Sequence, residues 1–294
     1  MKGSIMTAPA IRFGYTPSIH LLPLIYPLLA GWVYAAGQNL DLLPLPAPDL
    51  EVALREGSLD GALLDPPAYA RLRHMLEVMP GIGLSSEGAN GMAVLRSRTR
   101  PDLLDGATVA FSPAEAGGVA PALLSALAEP FFGVYLKPIP EAEVAVDPPA
   151  AWLLAGDDAL RARLPWLLYE AGFSPSALAA GLRPAPTAPD PALLGYAEDL
   201  GAAWWVLNGT PMVWALGVLR RELLGSPEAV VAVVRAFQES RVVAREQAET
   251  VLDAASKQAV VSEAVVSAIF DRQSVELDAS AQGGLAAFYR RLSR

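Results

Sequence analysis

The chain has 294 residues, of which 53% are hydrophobic and 18% are charged, and this balance excludes an intrinsically disordered protein and a solvated coiled coil. Its formal net charge of -9 repels a phosphate backbone, so we expect no nucleic-acid partner. The absence of cysteine and the presence of only 2 histidines exclude disulfides, thiolate nucleophiles, and metal sites built on cysteine or on several histidines, so we expect no metal.

The length exceeds that of one ordinary domain and predicts two. The segment before Ile11 lacks the apolar core of a signal peptide, which favours a cytoplasmic protein. An apolar stretch over residues 19–33 is broken by Pro23, Pro27 and Gly31, and at about fifteen residues it is shorter than the ~20 that cross a bilayer. We therefore expect no membrane partner.

Strand and helix patterns alternate along the first two thirds of the chain, which is typical of α/β proteins with parallel sheets. The predicted strands are residues 11–15, 60–64, 81–86, 92–96, 108–111, 134–139 and 151–154. The predicted helices are residues 21–29, 49–56 with Asp49 as N-cap, 69–79, and a helix opened by Ser112 and Pro113 that continues through residues 119–127. From Pro227 the pattern is helical, with no strand signal.

The helical C-terminal segment presents an apolar face, including Val233 and Phe237, that needs a partner surface. The first βα block is short of covering helices, so we expect the segment to pack back on it. This predicts a discontinuous first domain of residues 1–97 plus 206–294 and an inserted second domain of residues 98–205. Two crossovers between domains form a hinge, and a hinge predicts a ligand cleft.

Four collinear sequence blocks resemble the chorismate dehydratases of the futalosine route to menaquinone. They are residues 14–24 (GYTPSIHLLPL), 59–64 (LDGALL), 151–160 (AWLLAGDDAL) and the paired runs 199–204 (DLGAAW) and 209–215 (GTPMVWA). The resemblance implies the two-lobed, type II periplasmic-binding-protein-like architecture, with a small anionic substrate, chorismate, in the interdomain cleft. It implies a cofactor-free hydro-lyase that forms 3-[(1-carboxyvinyl)oxy]benzoate, the first step of that route.

The chain departs from the family's usual residues at three cleft-facing loops. His20 stands where the family usually has Asn, and Gly117 with Gly118 stand where it has Thr-Ser. Asp65 and Pro66 follow the Leu-Asp strand, where a Ser is usual.

Local donors must hold the two carboxylates of chorismate, because an acidic protein cannot attract them by net charge. The expected substrate-binding residues are Ser18 in the first loop, a turn with two hydroxyls and an amide, and a helix start with free N–H groups. The turn supplies Ser85, Ser86 and Asn90, and the helix start supplies Ser112, Gly117 and Gly118.

The reaction needs a base, and the residues leave its identity open. The candidates are His20, Glu87, Asp65, Glu115 and the second carboxylate of the substrate itself, of which His20 and the substrate carboxylate rank first. Because Asn cannot accept a proton at neutral pH, His20 is predicted to act as an orienting hydrogen-bond donor in catalysis.

Two other functions fit the same pattern. One is a solute-binding or sensor protein that closes on an anion without chemistry, since this architecture commonly serves that purpose. The other is the sister enzyme of the same route that forms dihydroxynaphthoate, although its first loop differs from residues 14–24. The sequence leaves the oligomeric state open.

Overall fold

The computed structural model describes residues 10–144, 149–171, 190 and 194–293 of the chain. Its strands form two separate sheets, one of six strands and one of five. We refer to each sheet with its covering helices as a lobe. Residues 1–9, on which the expected localisation rests, lie outside the described part.

The first sheet has the strand order β11-β4-β10-β3-β1-β2. Its strands are β1 (Ile11–Tyr15), β2 (Leu40–Pro44), β3 (Gly61–Leu64), β4 (Leu76–Ser86), β10 (Met212–Arg220) and β11 (Gln273–Ser274). β1 pairs in parallel with β2 and β3, whereas β10 runs antiparallel between β3 and β4. β3 and nearly all of β10 are buried, because helices cover both faces of the sheet.

The second sheet has the strand order β7-β6-β8-β5-β9. Its strands are β5 (Ala93–Ser97), β6 (Thr108–Phe111), β7 (Lys137–Pro140), β8 (Ala151–Ala155) and β9 (Tyr196–Asp199). β5 lies antiparallel between β8 and β9. The domain boundary expected after residue 97 would assign β5 to the first lobe, but its hydrogen bonds place it in the second.

Ten α-helices surround the sheets in the described residues. They are α1 (Leu22–Leu29), α2 (Ala47–Glu56), α3 (Pro66–Leu72), α4 (Val119–Leu127), α5 (Gly156–Ala171), α6 (Leu200–Asn208), α7 (Pro227–Glu246), α8 (Ala248–Ala259), α9 (Glu263–Phe270) and α10 (Ala279–Leu292). Among them, none combines the length and the apolar character needed to cross a membrane.

Aspartate side chains set three of the helix starts. Asp65, Asp199 and Asp278 each accept a hydrogen bond from a backbone N–H in the first turn of α3, α6 and α10, at 2.7, 3.0 and 2.8 Å respectively. Each aspartate has an extended backbone conformation and directly precedes a helix. Two of them, Asp65 and Asp199, therefore lie at the carboxyl end of a strand, which is where α/β proteins place their ligands.

Four local predictions were wrong. Residues 76–79 belong to β4 instead of a helix, because they pair with β10 through Leu76 and Arg220. Pro46 instead of Asp49 precedes α2. Ser112 caps only a short 3-10 helix, Pro113–Glu115, and α4 begins separately after Gly118. β11 is a short strand in the helical C-terminal segment, where none was expected.

The C-terminal helices pack on the first lobe, as predicted, and also contact the second. α7 lies against α1 and β4, and the Ser240 hydroxyl donates to the Leu24 carbonyl oxygen at 2.7 Å. On the second lobe, α9 packs against α5, and the ring of Phe288 in α10 contacts that of Trp204 in α6 edge to face. The segment therefore braces both lobes around the space between them.

Candidate functional site

A cavity of about 340 Å³ lies between the two lobes. The first lobe contributes the loop after β1, the ends of β3 and β4, and parts of α2 and α3, while the second contributes the loop before α4 and the start of α5. Apolar side chains, among them Leu84, Met92 and Trp214, form much of the wall. This size and lining suit one small organic molecule.

Asp65 is the polar group at the carboxyl end of β3, where it faces the cavity. Its Oδ1 caps α3 by accepting from the Ala68 N–H at 2.7 Å. Its Oδ2 lies 3.7 Å from the position that a Cβ atom on Gly118 of the opposite lobe would occupy. Burial raises the pKa of the Asp65 carboxyl to about 6, although the Ala68 N–H and the Arg71 charge favour its ionised form.

Glu115 faces Asp65 from the second lobe. Its Oε2 lies 3.7 Å from the same Gly118 Cβ position, so the two carboxyl groups approach each other across the cavity. Burial raises the pKa of Glu115, and the negative charge of Asp65 raises it further. No Lys, Arg or His side chain of the described residues forms an ion pair with either group.

Arg71 connects the lobes beside this pair. From α3 its Nη1 donates to the Gly117 carbonyl oxygen of the second lobe at 2.9 Å. Glu51 of α2 holds the guanidinium through Nε at 3.1 Å and Nη2 at 2.6 Å, and also binds Arg55. The hydrogen bonds to Arg71 and its charge lower the pKa of Glu51. The cluster keeps Glu51 ionised and orients Arg71 towards the other lobe.

Hydroxyl groups of the first loop also reach the cavity. Thr16 and Ser18 both line it, and Ser18 Oγ accepts from the His20 N–H at 3.3 Å. Ser18 is thus one of the predicted binding residues that the structure places at the cavity. Gly118 is another, because it lies in the wall formed by the second lobe.

The predicted residues Ser85, Ser86 and Asn90 are buried and do not line this cavity. Ser86 Oγ accepts from the Trp214 Nε1–H at 2.8 Å, so it fixes a side chain of the wall. Ser85 lies on β4 opposite Ser274 of β11. The geometry gives these two serines a supporting position and gives no direct route to a ligand in the cavity.

Asn90 belongs to the first crossover between the lobes. Its side-chain oxygen accepts from the Met92 N–H at 3.2 Å, and its backbone N–H donates to Asp199 at 3.1 Å. Asp199 also accepts from the Gly91 N–H at 2.7 Å while it caps α6. A carboxylate of the second lobe thus anchors the crossover that contains Asn90, and the predicted binding role of Asn90 stays a prediction.

Ser112 and Gly117 flank the second-lobe wall without lining it. Ser112 is exposed, and its Oγ accepts from the Ala114 N–H at 3.4 Å. Gly117 has a φ of +73°, in the left-handed region where a side chain would be strained, and its carbonyl oxygen receives Arg71. Gly117 therefore belongs to the bridge between the lobes.

His20 is 2% exposed and is absent from the cavity wall. Its Nδ1 is 3.0 Å from Oε1 of Gln273, whose Nε2 donates in turn to the His20 carbonyl oxygen at 3.0 Å. Burial lowers the pKa of His20 to about 4, and the bond to Gln273 and the charge of Asp157 offset only part of that effect. His20 is therefore neutral at pH 7 and ties the first loop to β11. Its predicted catalytic role stays a prediction.

The structure places in the cavity wall two residues that ranked low in the sequence analysis and one that the sequence analysis missed. Asp65 and Glu115 were among the candidate bases, and Arg71 was not considered. The sequence signal for Asp65 is a carboxylate directly after a buried strand, as in Leu64-Asp65. Glu115 and Arg71 carry no comparable signal, because their partners lie in the opposite lobe.

The described residues contain no group of three or more His, Asp or Glu side chains that could hold a metal ion. The expectation that no metal takes part stays a prediction.

Similar proteins share this architecture at low sequence identity. Protein AF1704 from Archaeoglobus fulgidus aligns with a TM-score of 0.70 and 17% identity over 97% of both chains. The Candida albicans CA3427 product, described as having the generic periplasmic binding protein fold, aligns at 0.62 with 11% identity over 97% of this chain and 95% of its own. This chain has the periplasmic-binding-protein fold.

The aliphatic sulphonate binding protein SsuA from Escherichia coli has the same fold. It aligns with a TM-score of 0.57 and 17% identity over 96% of this chain and 88% of its own. A family model described as menaquinone biosynthesis matches residues 184–294. No curated protein matches the chain.

Proposed function

We propose that this protein acts in menaquinone biosynthesis as a chorismate dehydratase, converting chorismate to 3-[(1-carboxyvinyl)oxy]benzoate. The observation that carries the proposal is the family match over residues 184–294, which contribute Trp214 and Ala215 to the cavity wall. The sequence blocks that resemble this enzyme family lie on both sides of the same cavity, in the loop after β1, at the end of β3 and at the start of α5.

The cavity suits a ring with acidic substituents. Leu84, Met92 and Trp214 offer apolar contact to the ring faces. Thr16 and Ser18 offer hydroxyl donors from the first lobe, and the first turn of α4 at Val119 and Ala120 offers N–H groups from the second. Donors from opposite lobes can hold two carboxylates of one ligand at the same time.

The charge of the walls is close to balanced. Arg55 and Arg71 exceed Glu51 by one positive charge, which stands against the two remaining carboxyl groups, Asp65 and Glu115. Burial and the Asp65 charge both raise the pKa of Glu115, so its carboxyl group is neutral more readily than that of an exposed glutamate. An anionic substrate therefore meets less repulsion in the cavity than the residue types alone suggest.

The reaction needs only proton movement. The ring carboxylate of chorismate is conjugated to the carbon that loses its proton, so that proton is acidified, and loss of water leaves an aromatic ring. The protein must exclude bulk water and hold the ring in place, and the proton acceptor is either a side chain of the wall or the second carboxylate of the substrate itself.

The test is incubation of the purified protein with chorismate, followed by liquid chromatography and mass spectrometry. We expect a time-dependent aromatic product lighter by one water molecule, with heat-treated protein as the control. Unchanged chorismate after long incubation at high protein concentration contradicts the proposal.

A solute-binding protein is the second candidate, because SsuA, which has the same fold, is named for binding sulphonates. Isothermal titration calorimetry separates the two. A receptor binds chorismate, or a simple alkanesulphonate, and releases it unchanged, whereas a dehydratase that has turned its substrate over releases the benzoate.

A further inference from the structure

The two carboxyl oxygens of Asp65 differ in their hydrogen bonds. Oδ1 caps α3 through the Ala68 N–H, so the carboxyl group has a fixed orientation. Oδ2 faces the cavity opposite Gly118 and has no hydrogen-bond donor within the described residues. A carboxylate oxygen held still and left unpaired at a cavity wall is in the position that a proton acceptor requires.

Charged and titratable groups face Asp65 from four elements. Arg71 of its own helix favours the ionised form, while Glu51 of α2 disfavours it. Glu115 approaches from the second lobe, and the phenol of Tyr289 on α10 feels the Asp65 charge while its O–H donates to the Pro66 carbonyl oxygen at 2.9 Å. These contributions partly cancel, so burial determines the direction in which the Asp65 pKa moves.

We propose that Asp65 transfers the proton in the dehydration, acting as base and then as acid. The inference rests on the proposed function. Asp65 Oδ2 takes the proton from the ring carbon that bears the enolpyruvyl ether, and the electron pair of that C–H bond enters the ring conjugated to the carboxylate. The same oxygen then gives the proton to the neighbouring hydroxyl as its C–O bond breaks.

The bonds and protons of this reaction balance with Asp65 as the only protein group that takes part. One C–H bond and one C–O bond break, one ring double bond forms, water leaves, and Asp65 returns to its carboxylate form. In chorismate the ether and the hydroxyl lie on opposite faces of the ring, so the departing hydrogen and the hydroxyl lie on the same face. A single carboxyl group on that face therefore reaches both, and neither an oxidant nor a second proton donor is needed.

Glu115 has a positioning role in this arrangement. It faces Asp65 across Gly118, since its Oε2 and the Asp65 Oδ2 each lie 3.7 Å from the Gly118 Cβ position at the cavity wall. Burial keeps Asp65 a stronger base than an exposed aspartate, and the Asp65 charge favours the protonated form of the neighbouring Glu115. Replacing Glu115 removes this neighbour without removing the proton acceptor.

The experiment compares steady-state kinetics of the wild-type protein with Asp65→Asn and Asp65→Ser, since Asn and Ser both retain an N-cap. We expect kcat to fall by about a hundredfold or more in both variants, with KM changed by less than about threefold. Asp278→Asn is the matched control, because Asp278 caps α10 in the same way but lies outside the cavity. Its kcat should stay within about twofold of the wild-type value.

The pH profile gives a readout that a structural role would not move. The wild-type kcat/KM should fall as pH decreases through about 6, because the base is then protonated, and the remaining activity of Asp65→Asn should lack this fall. Glu115→Gln should keep this fall near the same pH, because burial is the main cause of the raised Asp65 pKa, and its kcat should stay above that of Asp65→Asn.

The outcomes separate the inference from the proposed function. If the wild-type protein is active and the kcat of Asp65→Asn stays within tenfold of the wild-type value, the inference is overturned and the dehydratase proposal stands. An inactive wild-type protein overturns both. If the Asp65 variants do not fold, a wild-type kcat/KM that is flat between pH 5 and 8 still overturns the inference.

Discussion

Arg71 donates a 2.9 Å hydrogen bond to the carbonyl oxygen of Gly117, and this contact joins the two lobes at the rim of the cavity. Glu51 orients the guanidinium by accepting a hydrogen bond from Arg71 Nη2 at 2.6 Å. Because the contact exists only when the lobes are together, it favours the closed arrangement of the protein.

Replacing Arg71 should shift the protein towards an open form. We expect Arg71→Ala to increase the radius of gyration in small-angle X-ray scattering and to weaken binding of chorismate or a non-reacting analogue by about threefold to tenfold. Arg55→Ala is the control, since Arg55 binds the same Glu51 but makes no contact with Gly117. Equal effects of the two variants would show that the Arg71 bridge does not govern closure.

A side chain at Gly118 should block the ligand more than it harms the fold. A Cβ atom there would lie 3.1 Å from the Glu115 carbonyl oxygen and 3.7 Å from both carboxyl groups, so the two γ-methyls of Gly118→Val enter the cavity. We expect ligand affinity to fall by at least tenfold while the melting temperature falls by a few degrees.

Gly225→Val is the control for this variant, because nothing lies within 4 Å of a Cβ atom at Gly225. Should Gly118→Val melt far below Gly225→Val and yet bind normally when folded, Gly118 would serve only the packing of α4.

His20 should make the stability of the protein depend on pH. Its folded-state pKa of about 4 lies below the ordinary value of 6.5, so the neutral ring stabilises the fold above pH 6.5, and this contribution is lost as pH falls from 6.5 to 4. His20→Asn should remove that dependence. The test is the difference in melting temperature between wild type and variant from pH 7.5 to 4.5, and a difference that does not change with pH contradicts the assignment.

The catalytic prediction for His20 can be tested with the same variant. If His20 acts only by holding the first loop to Gln273, His20→Asn should keep kcat within about tenfold, whereas His20→Leu, which cannot bond to Gln273, should lose about a hundredfold. Equal loss of activity in both variants, with substrate binding retained, would instead identify His20 as the base.

Asp65 should reduce stability at neutral pH. Its folded-state pKa of about 6 lies above the ordinary value of 3.8, so the charged form costs stability above pH 6, and the cost disappears as the carboxyl is protonated. Asp65→Asn keeps the cap of α3 without the charge and should melt at a higher temperature than wild type at pH 8. The gain should shrink towards pH 5, and a gain that is constant or absent contradicts this reading of the Asp65 environment.

The βα alternation predicted the two-lobed α/β fold, because apolar strands and capped helices are local features. It missed the start of β4, since residues 76–79 also fit one face of a helix and only pairing with β10 decides the matter. The assignment of β5 to the second lobe likewise depends on hydrogen bonds to β8 and β9, which are distant in sequence.

The candidate site was predicted in part. Ser18 and Gly118 line the cavity, because loops at the carboxyl ends of strands face the space between the lobes. Ser85, Ser86 and Asn90 look equally polar in the sequence, but β-strand pairing and the anchor on Asp199 turn them inward. The meeting of Asp65, Glu115 and Arg71 depends on how the lobes face each other, and local sequence patterns do not encode that relationship.

The central claim is that this cavity dehydrates chorismate, and time-resolved ¹H NMR of purified protein with excess chorismate tests it most directly. We expect the ring olefinic signals to decay at the same rate as the aromatic signals of 3-[(1-carboxyvinyl)oxy]benzoate rise, with many turnovers per protein molecule and at least a hundredfold slower conversion by Asp65→Asn. Chorismate signals that stay constant, or that broaden on binding without new aromatic signals, would contradict the claim and identify a binding protein.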